Sequence, residues 1–283
     1  MKLNSKSNYS IKIRSSFFSK VKQLIKKIVE DKRQKFISSV LGLSVGLFIA
    51  EHFLGRSGVL MIFILSFITS FLLYLCIRND LKGNFFWQIF ILPFFYSLAF
   101  GLFYLLIPAR YITRIIMTTF YAIGLYSLFL AENIFTVSSI RTIALLSSAR
   151  TVSVALTLLS YFFLSNVVFS LHLNLPLTIL LISLYTFPII LQSIWIYTLE
   201  RKLFSNIFWV VSLTICLIQI AVLLWFWPST PTLLALFISG IFYSVLGLSH
   251  VWLEKRLFKG IIWEYIWVIS IIFLVLVFFT SWT

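Results

Sequence analysis

Acidic residues are scarce in this chain, with eight Asp and Glu among 283 residues against 23 Lys and Arg. The only aspartates are Asp31 and Asp80, and neither lies in the middle of an apolar run. That scarcity excludes much familiar chemistry. There is no aspartate-rich motif for a metal–diphosphate substrate and no pair of carboxylates spaced for acid–base work. GxSxG and a phosphate-cradling glycine loop are missing as well. Cysteine is nearly absent too. Cys76 and Cys216 both fall in apolar runs, which excludes a disulfide framework or a zinc site and leaves them as small packing residues. His52, His172 and His250 lie far apart and supply no ligand spacing. The sequence therefore points to no catalytic residue, no metal site and no cofactor.

What is abundant is hydrocarbon. The chain is 61% hydrophobic and only 11% charged, with a mean hydropathy of +1.04. A soluble exterior needs more charge than that. Apolar runs of about 20 residues recur, and each is long enough to cross a bilayer as a helix. The expected fold is an all-α polytopic membrane bundle of nine transmembrane helices. The spans are 36–54, 57–77, 84–107, 112–132, 152–172, 176–198, 204–227, 231–252 and 260–282. No loop is long enough for a separate folded domain and no internal repeat is visible. The organisation is a basic amphipathic arm over 1–35 and a transmembrane helical domain over 36–283.

The formal net charge is +15 and is unevenly placed. Residues 1–35 hold 11 Lys and Arg against Glu30 and Asp31. Phe17, Val21, Leu24 and Ile28 share one helical face of this arm, with lysines around the rest. Two readings fit: a helix lying on anionic headgroups, or a solvated leader that only sets topology. Because the charge sits beside a membrane anchor, the expected partner is the lipid bilayer and its anionic lipids, not nucleic acid. A cleaved signal peptide is disfavoured, since AEHFLG offers no convincing cleavage site.

Loop charge sets the expected threading. With the N-terminus inside, Arg78, Lys82, Arg141, Arg150, Arg201, Lys202, Lys255, Arg256 and Lys259 fall on the cytoplasmic side of a bacterial inner membrane, and Thr283 lies outside. Arg110 and Arg114 are exceptions. Trp87, Trp195, Trp225, Trp227, Trp252 and Trp282 mark the same boundaries, where an amphipathic ring favours headgroup depth.

The one polar concentration is Leu130 to Ser160. Helix 4 is expected to end at Glu132 and Asn133, followed by an amphipathic stretch that is interfacial or re-entrant. Ser147, Arg150, Ser153, Thr157 and Ser160 then form a stripe at spacings of three and four. Arg141 and Arg150, with Glu132 and Asn133 beside them, are candidates for holding an anionic headgroup. A guanidinium fork matches phosphate oxygens. The plainer reading makes the arginines interface anchors and the hydroxyls packing groups, and a third makes the stripe a transport path. Glu51 and Glu264 are expected to form local salt bridges, the first with Arg56, Arg110 or Arg114, the second with Arg141, Arg150 or Lys259. Gly42, Gly46 and Ala50 on helix 1, and Gly240, Ser244 and Gly247 on helix 8, are candidate packing seams, within the protein or toward a membrane-protein partner. Pro93 and Pro188 are expected to kink helices 3 and 6.

The run AENIF…SSIRTIALL…AR, over some 40 residues around helices 4 and 5, resembles multi-span proteins of uncultured bacteria. The resemblance implies a bacterial cytoplasmic-membrane location and no activity. Nine spans are also a feature of UbiA-type prenyltransferases, whose aspartate-rich motifs have no counterpart here. The expected role is a non-catalytic lipid-contacting or membrane-assembly component, with a transporter of a small or amphipathic solute as the alternative.

Overall fold

Nine α-helices, with no strand, make up the residues described by the computed structural model: 32–53, 58–78, 86–107, 111–138, 145–199 and 206–280. The basic arm up to residue 31 and Arg141 lie outside the described residues, as do the side chains of Lys32 and 51–53. The helices are α1 (Lys32–Phe53), α2 (Gly58–Ile77), α3 (Ile91–Leu106), α4 (Tyr111–Ser138), α5 (Leu146–Ser170), α6 (Leu175–Thr198), α7 (Ile207–Trp225), α8 (Pro231–Leu253) and α9 (Lys259–Phe279). From α2 onward, eight are long and apolar enough to cross a membrane, with α3 extended by the 3-10 turn Trp87–Phe90. The remaining helix, α1, has 22 residues and begins on Lys32, Arg33, Gln34 and Lys35, which makes it the least apolar of the nine. The chain is an all-helical membrane protein.

Three local expectations are corrected. Helix α4 continues to Ser138, so Glu132 and Asn133 lie inside it and not at its end. Helix α5 starts at Leu146, ahead of the expected span 152–172, and carries Ser147 and Arg150 on its first turns as the stripe requires. Apolar residues such as Phe135 and Leu146 interleave with the polar ones, and burial of Phe135 in the core carries α4 on past Glu132. Pro93 is not mid-helix. It is the third residue of α3, where a missing backbone N–H costs little. Pro188 does lie inside α6, which is assigned as one helix across it.

Helices α3, α5, α6 and α8 form the interior, flanked by α1, α2, α4, α7 and α9. Of the apolar stretch of α5, 61% is buried, against 6% for α9, which packs along α8. Aromatic rings fill the interior: Tyr161 stacks on Phe242 at 4.0 Å and Phe103 on Phe163 at 4.1 Å. Small residues set the α8–α9 approach. A Cβ at Gly240 would collide with Ile272 and one at Gly247 with Tyr265, while Ser244 between them is buried. On α1, a Cβ at Gly46 would lie 3.1 Å from Leu65, whereas nothing lies within 4 Å of one at Gly42.

Buried hydroxyls are mostly satisfied within their own helices. Thr157 donates to the Ser153 carbonyl at 2.7 Å and Ser160 to the Leu156 carbonyl at 2.8 Å. Others join helices. Ser97 links Thr69 on α2, at 2.9 Å, to Tyr121 on α4, at 2.8 Å. From Ser153 to Ser160 the α5 stripe thus faces protein, with Thr157 and Ser160 back-bonded and the Ser153 hydroxyl buried without a partner, while Ser147 is exposed.

Candidate functional site

The last two turns of α6 gather polar groups from three other helices. Residues four apart share a helical face, and Gln192, Ser193, Ile196 and Tyr197 present two adjacent side chains and then two adjacent carbonyls. The carbonyls of a helix's last turn have no intrahelical partner and carry the negative end of its dipole. Arg150 fills that need from α5. Its Nε donates to the Ile196 carbonyl at 3.3 Å and its Nη2 to the Tyr197 carbonyl at 3.1 Å. The third arm, Nη1, reaches Glu254 Oε1 at 3.3 Å just beyond α8. The guanidinium carbon also lies 4.6 Å from the centre of the Tyr197 ring.

The phenol of Tyr197 is shared. The His250 ring of α8 stacks on it at 3.8 Å, and His250 Nε2 pairs with Ser193 Oγ at 3.2 Å. Glu254 Oε2 is 3.8 Å from Arg256 Nη1. Arg150, Glu254, Tyr197, His250 and Ser193 therefore form one network that ties α5, α6 and α8 at a single end of the bundle. Glu254 takes the role expected of Glu264, which is exposed on α9. Glu51 and its expected partners Arg56 and Arg110 lie outside the described side chains.

Beside this network is a cavity of about 270 Å³ between α5, α6, α8 and α9. Thr151, Tyr197, His250 and Glu254 line its end nearest the helix termini, and Val154, Leu158 and Leu246 line it further in. Tyr243, Gly247 and Tyr265 complete the wall along α8 and α9. From Glu254 to Tyr243 is about 16 Å of helix axis. The cavity is therefore polar where the helices end and largely aliphatic further in on the α5 side, with the phenols of Tyr243 and Tyr265 on the α8–α9 side. A second cavity of about 220 Å³, lined by His172, Thr178, Trp225 and Trp227 among others, shares no lining residue with it.

Of the four candidate headgroup residues, Arg150 belongs to the network and Arg141 lies outside the described residues. Glu132 is fully buried on α4, one helical turn of α6 deeper than the Arg150 contacts, where Gln192 Nε2 donates to its Oε1 at 2.6 Å. Asn133 is half-buried and its Oδ1 is shielded without a hydrogen-bond partner. Sequence reasoning passed over Gln192, Ser193, Tyr197, His250 and Glu254. One signal was available: His250 and Glu254 stand four apart, on one face of a helix and its cap.

Residues 39–279 match the model of a family described as a protein of unknown function. No curated protein and no solved structure matches the chain.

Proposed function

Because the chain belongs to this family, Protein of unknown function (DUF5656), which carries no activity to transfer, we propose from its own geometry that it is a non-catalytic, lipid-contacting membrane component that holds one anionic amphiphile in the α5–α6–α8–α9 cavity. The observation that carries this reading is the polarity gradient of the wall. A polar end at the helix termini and a depth lined by Val154, Leu158 and Leu246, with the amphipathic rings of Tyr243 and Tyr265 beside them, match a headgroup and the start of an acyl chain at headgroup level. Glu254 is the one charged residue of the wall, and it is paired with Arg150 and Arg256 from outside it, so that the cations around the mouth exceed its single charge and favour an anion. Arg150 acts through the field at the rim, its donors being engaged by Ile196, Tyr197 and Glu254.

A hydrolytic reading of Ser193 and His250 fails on access. Ser193 is only 2% exposed and is not part of the cavity wall. A nucleophile must meet its substrate.

The test is native mass spectrometry of the protein purified in mild detergent from a membrane of anionic and zwitterionic phospholipids. The parent retains about one anionic phospholipid, and Leu158→Trp, which fills the apolar depth, loses it while unfolding at the parent's temperature. Equal lipid retention by both proteins overturns the proposal.

A further inference from the structure

The Glu132–Gln192 pair lies outside that cavity, and its geometry is incomplete. Glu132 and Gln192 are 0% and 1% exposed. Gln192 Nε2 donates to Glu132 Oε1 at 2.6 Å, which leaves Glu132 Oε2 and Gln192 Oε1 as two buried oxygens without a hydrogen-bond partner. Both are acceptors, so neither can satisfy the other. Among the described residues, no Lys, Arg or His forms an ion pair with Glu132. A carboxylate left uncompensated inside a bundle is strongly disfavoured, and each orphaned buried oxygen adds the loss of its hydration. Asparagine or glutamine at position 132 would avoid the first cost entirely.

One object removes every one of these penalties: a single positive charge set between the two oxygens. We propose that Glu132 and Gln192 form a site for one monovalent positive charge, a proton or an alkali-metal ion taken up from the aqueous phase, bound between Glu132 Oε2 and Gln192 Oε1. A proton on Oε2 donates to Gln192 Oε1 and closes a two-bond acid–amide ring. An alkali ion is ligated by the same two oxygens, hard donors of the type such ions take. Water alone bridges the oxygens but leaves the charge uncompensated.

Infrared difference spectroscopy of the whole protein, reconstituted at neutral pH, tests this against Glu132→Gln. If the charge is a proton, the parent shows a carboxylic-acid carbonyl band that moves in heavy water and is lost in Glu132→Gln. If it is an alkali ion, that band is missing. The carboxylate stretches then move when sodium, potassium and choline chlorides are exchanged, and Glu132→Gln abolishes the movement. Gln192→Leu keeps the carboxyl and removes its amide, so it shifts whichever signal the parent gives. It serves as the comparison if Glu132→Gln fails to insert. An ionised Glu132 whose bands ignore the cation supplied, or a signal unmoved by Gln192→Leu, overturns the proposal. Neither outcome bears on lipid retention in the cavity, so the two proposals fail independently.

Discussion

The carbonyl of Tyr197 accepts from Arg150 Nη2 at 3.1 Å while the ring of the same tyrosine lies 4.6 Å from the guanidinium carbon. One side chain thus neutralises the negative end of α6, covers an aromatic face and, through Glu254, fastens α8. Three acceptors in different directions need a planar fork, and an ammonium on a flexible stem serves one or two of them. Arg150→Lys is therefore expected to insert normally but to lose about 1.5–3 kcal/mol of stability, the range for hydrogen bonds to a charged group. Thermal unfolding in detergent, followed by tryptophan fluorescence, measures it. Melting unchanged from the parent would return Arg150 to the role of a simple interface anchor.

How much of this was legible in the sequence differs by level. Apolar run length gave nine helices because a bilayer imposes one length on each span. The charges of Glu132 and Arg150 suggest a water boundary, yet α4 runs past Glu132 to Ser138 and α5 begins before Arg150 at Leu146. Each instead has a partner on α6, Gln192 and the Ile196–Tyr197 carbonyls, about 46 to 60 residues away. Periodicity reports which face of a helix is polar, not which helix it meets. The α8 seam at Gly240 and Gly247 was visible from spacing alone, while Gly42 at the same spacing has no neighbour within 4 Å. Small residues permit close approach, and a second surface of matching shape decides whether it occurs.

That seam gives the next prediction. A side chain at Gly240 has to displace Ile272, and α9 has little other packing to hold it. Gly240→Val is expected to loosen α9 selectively and to cost about 1–3 kcal/mol, as overpacking does. Phe237 and Phe273 face each other across the seam with ring centres 6.3 Å apart. Cysteines at these positions, with Cys76 and Cys216 replaced, should be joined readily by a short bis-thiol reagent in the parent and several-fold more slowly with Gly240→Val. Equal cross-linking would mean that α9 stays seated.

The arm makes a separate prediction from charge alone. Its 11 Lys and Arg over residues 1–35 act additively near an anionic surface, at about 1 kcal/mol each before screening. A peptide of residues 11–35 is expected to bind anionic vesicles at low salt and to release as ionic strength rises and the Debye length falls to about 3 Å at 1 M. Equal binding to neutral vesicles would show that its apolar face, not its charge, does the binding.

Threading depends on α1. From Phe36 to Phe53 it offers 18 residues, or about 27 Å of helix, enough for a bilayer core although less apolar than its neighbours. If each of the eight later helices crosses once, the loops before α3, α5, α7 and α9 share one side, and these carry Arg78, Lys82, Arg141, Arg201, Lys202, Lys255 and Arg256. By the positive-inside rule that side is expected to be cytoplasmic, which would place the start of α2 and Thr283 outside whether or not α1 crosses. Only the arm distinguishes the two cases: nine crossings keep its charge inside, and eight would leave it outside against the rule. Packing favours nine, since α1 lies along both α2 and α4 and its Phe36 meets Phe129 with ring centres 6.0 Å apart. Reporter fusions after Lys82 and Thr283, with a small tag ahead of the arm, are expected to read inside, outside and inside. A tag that reports outside while Lys82 reports inside would reduce the count to eight.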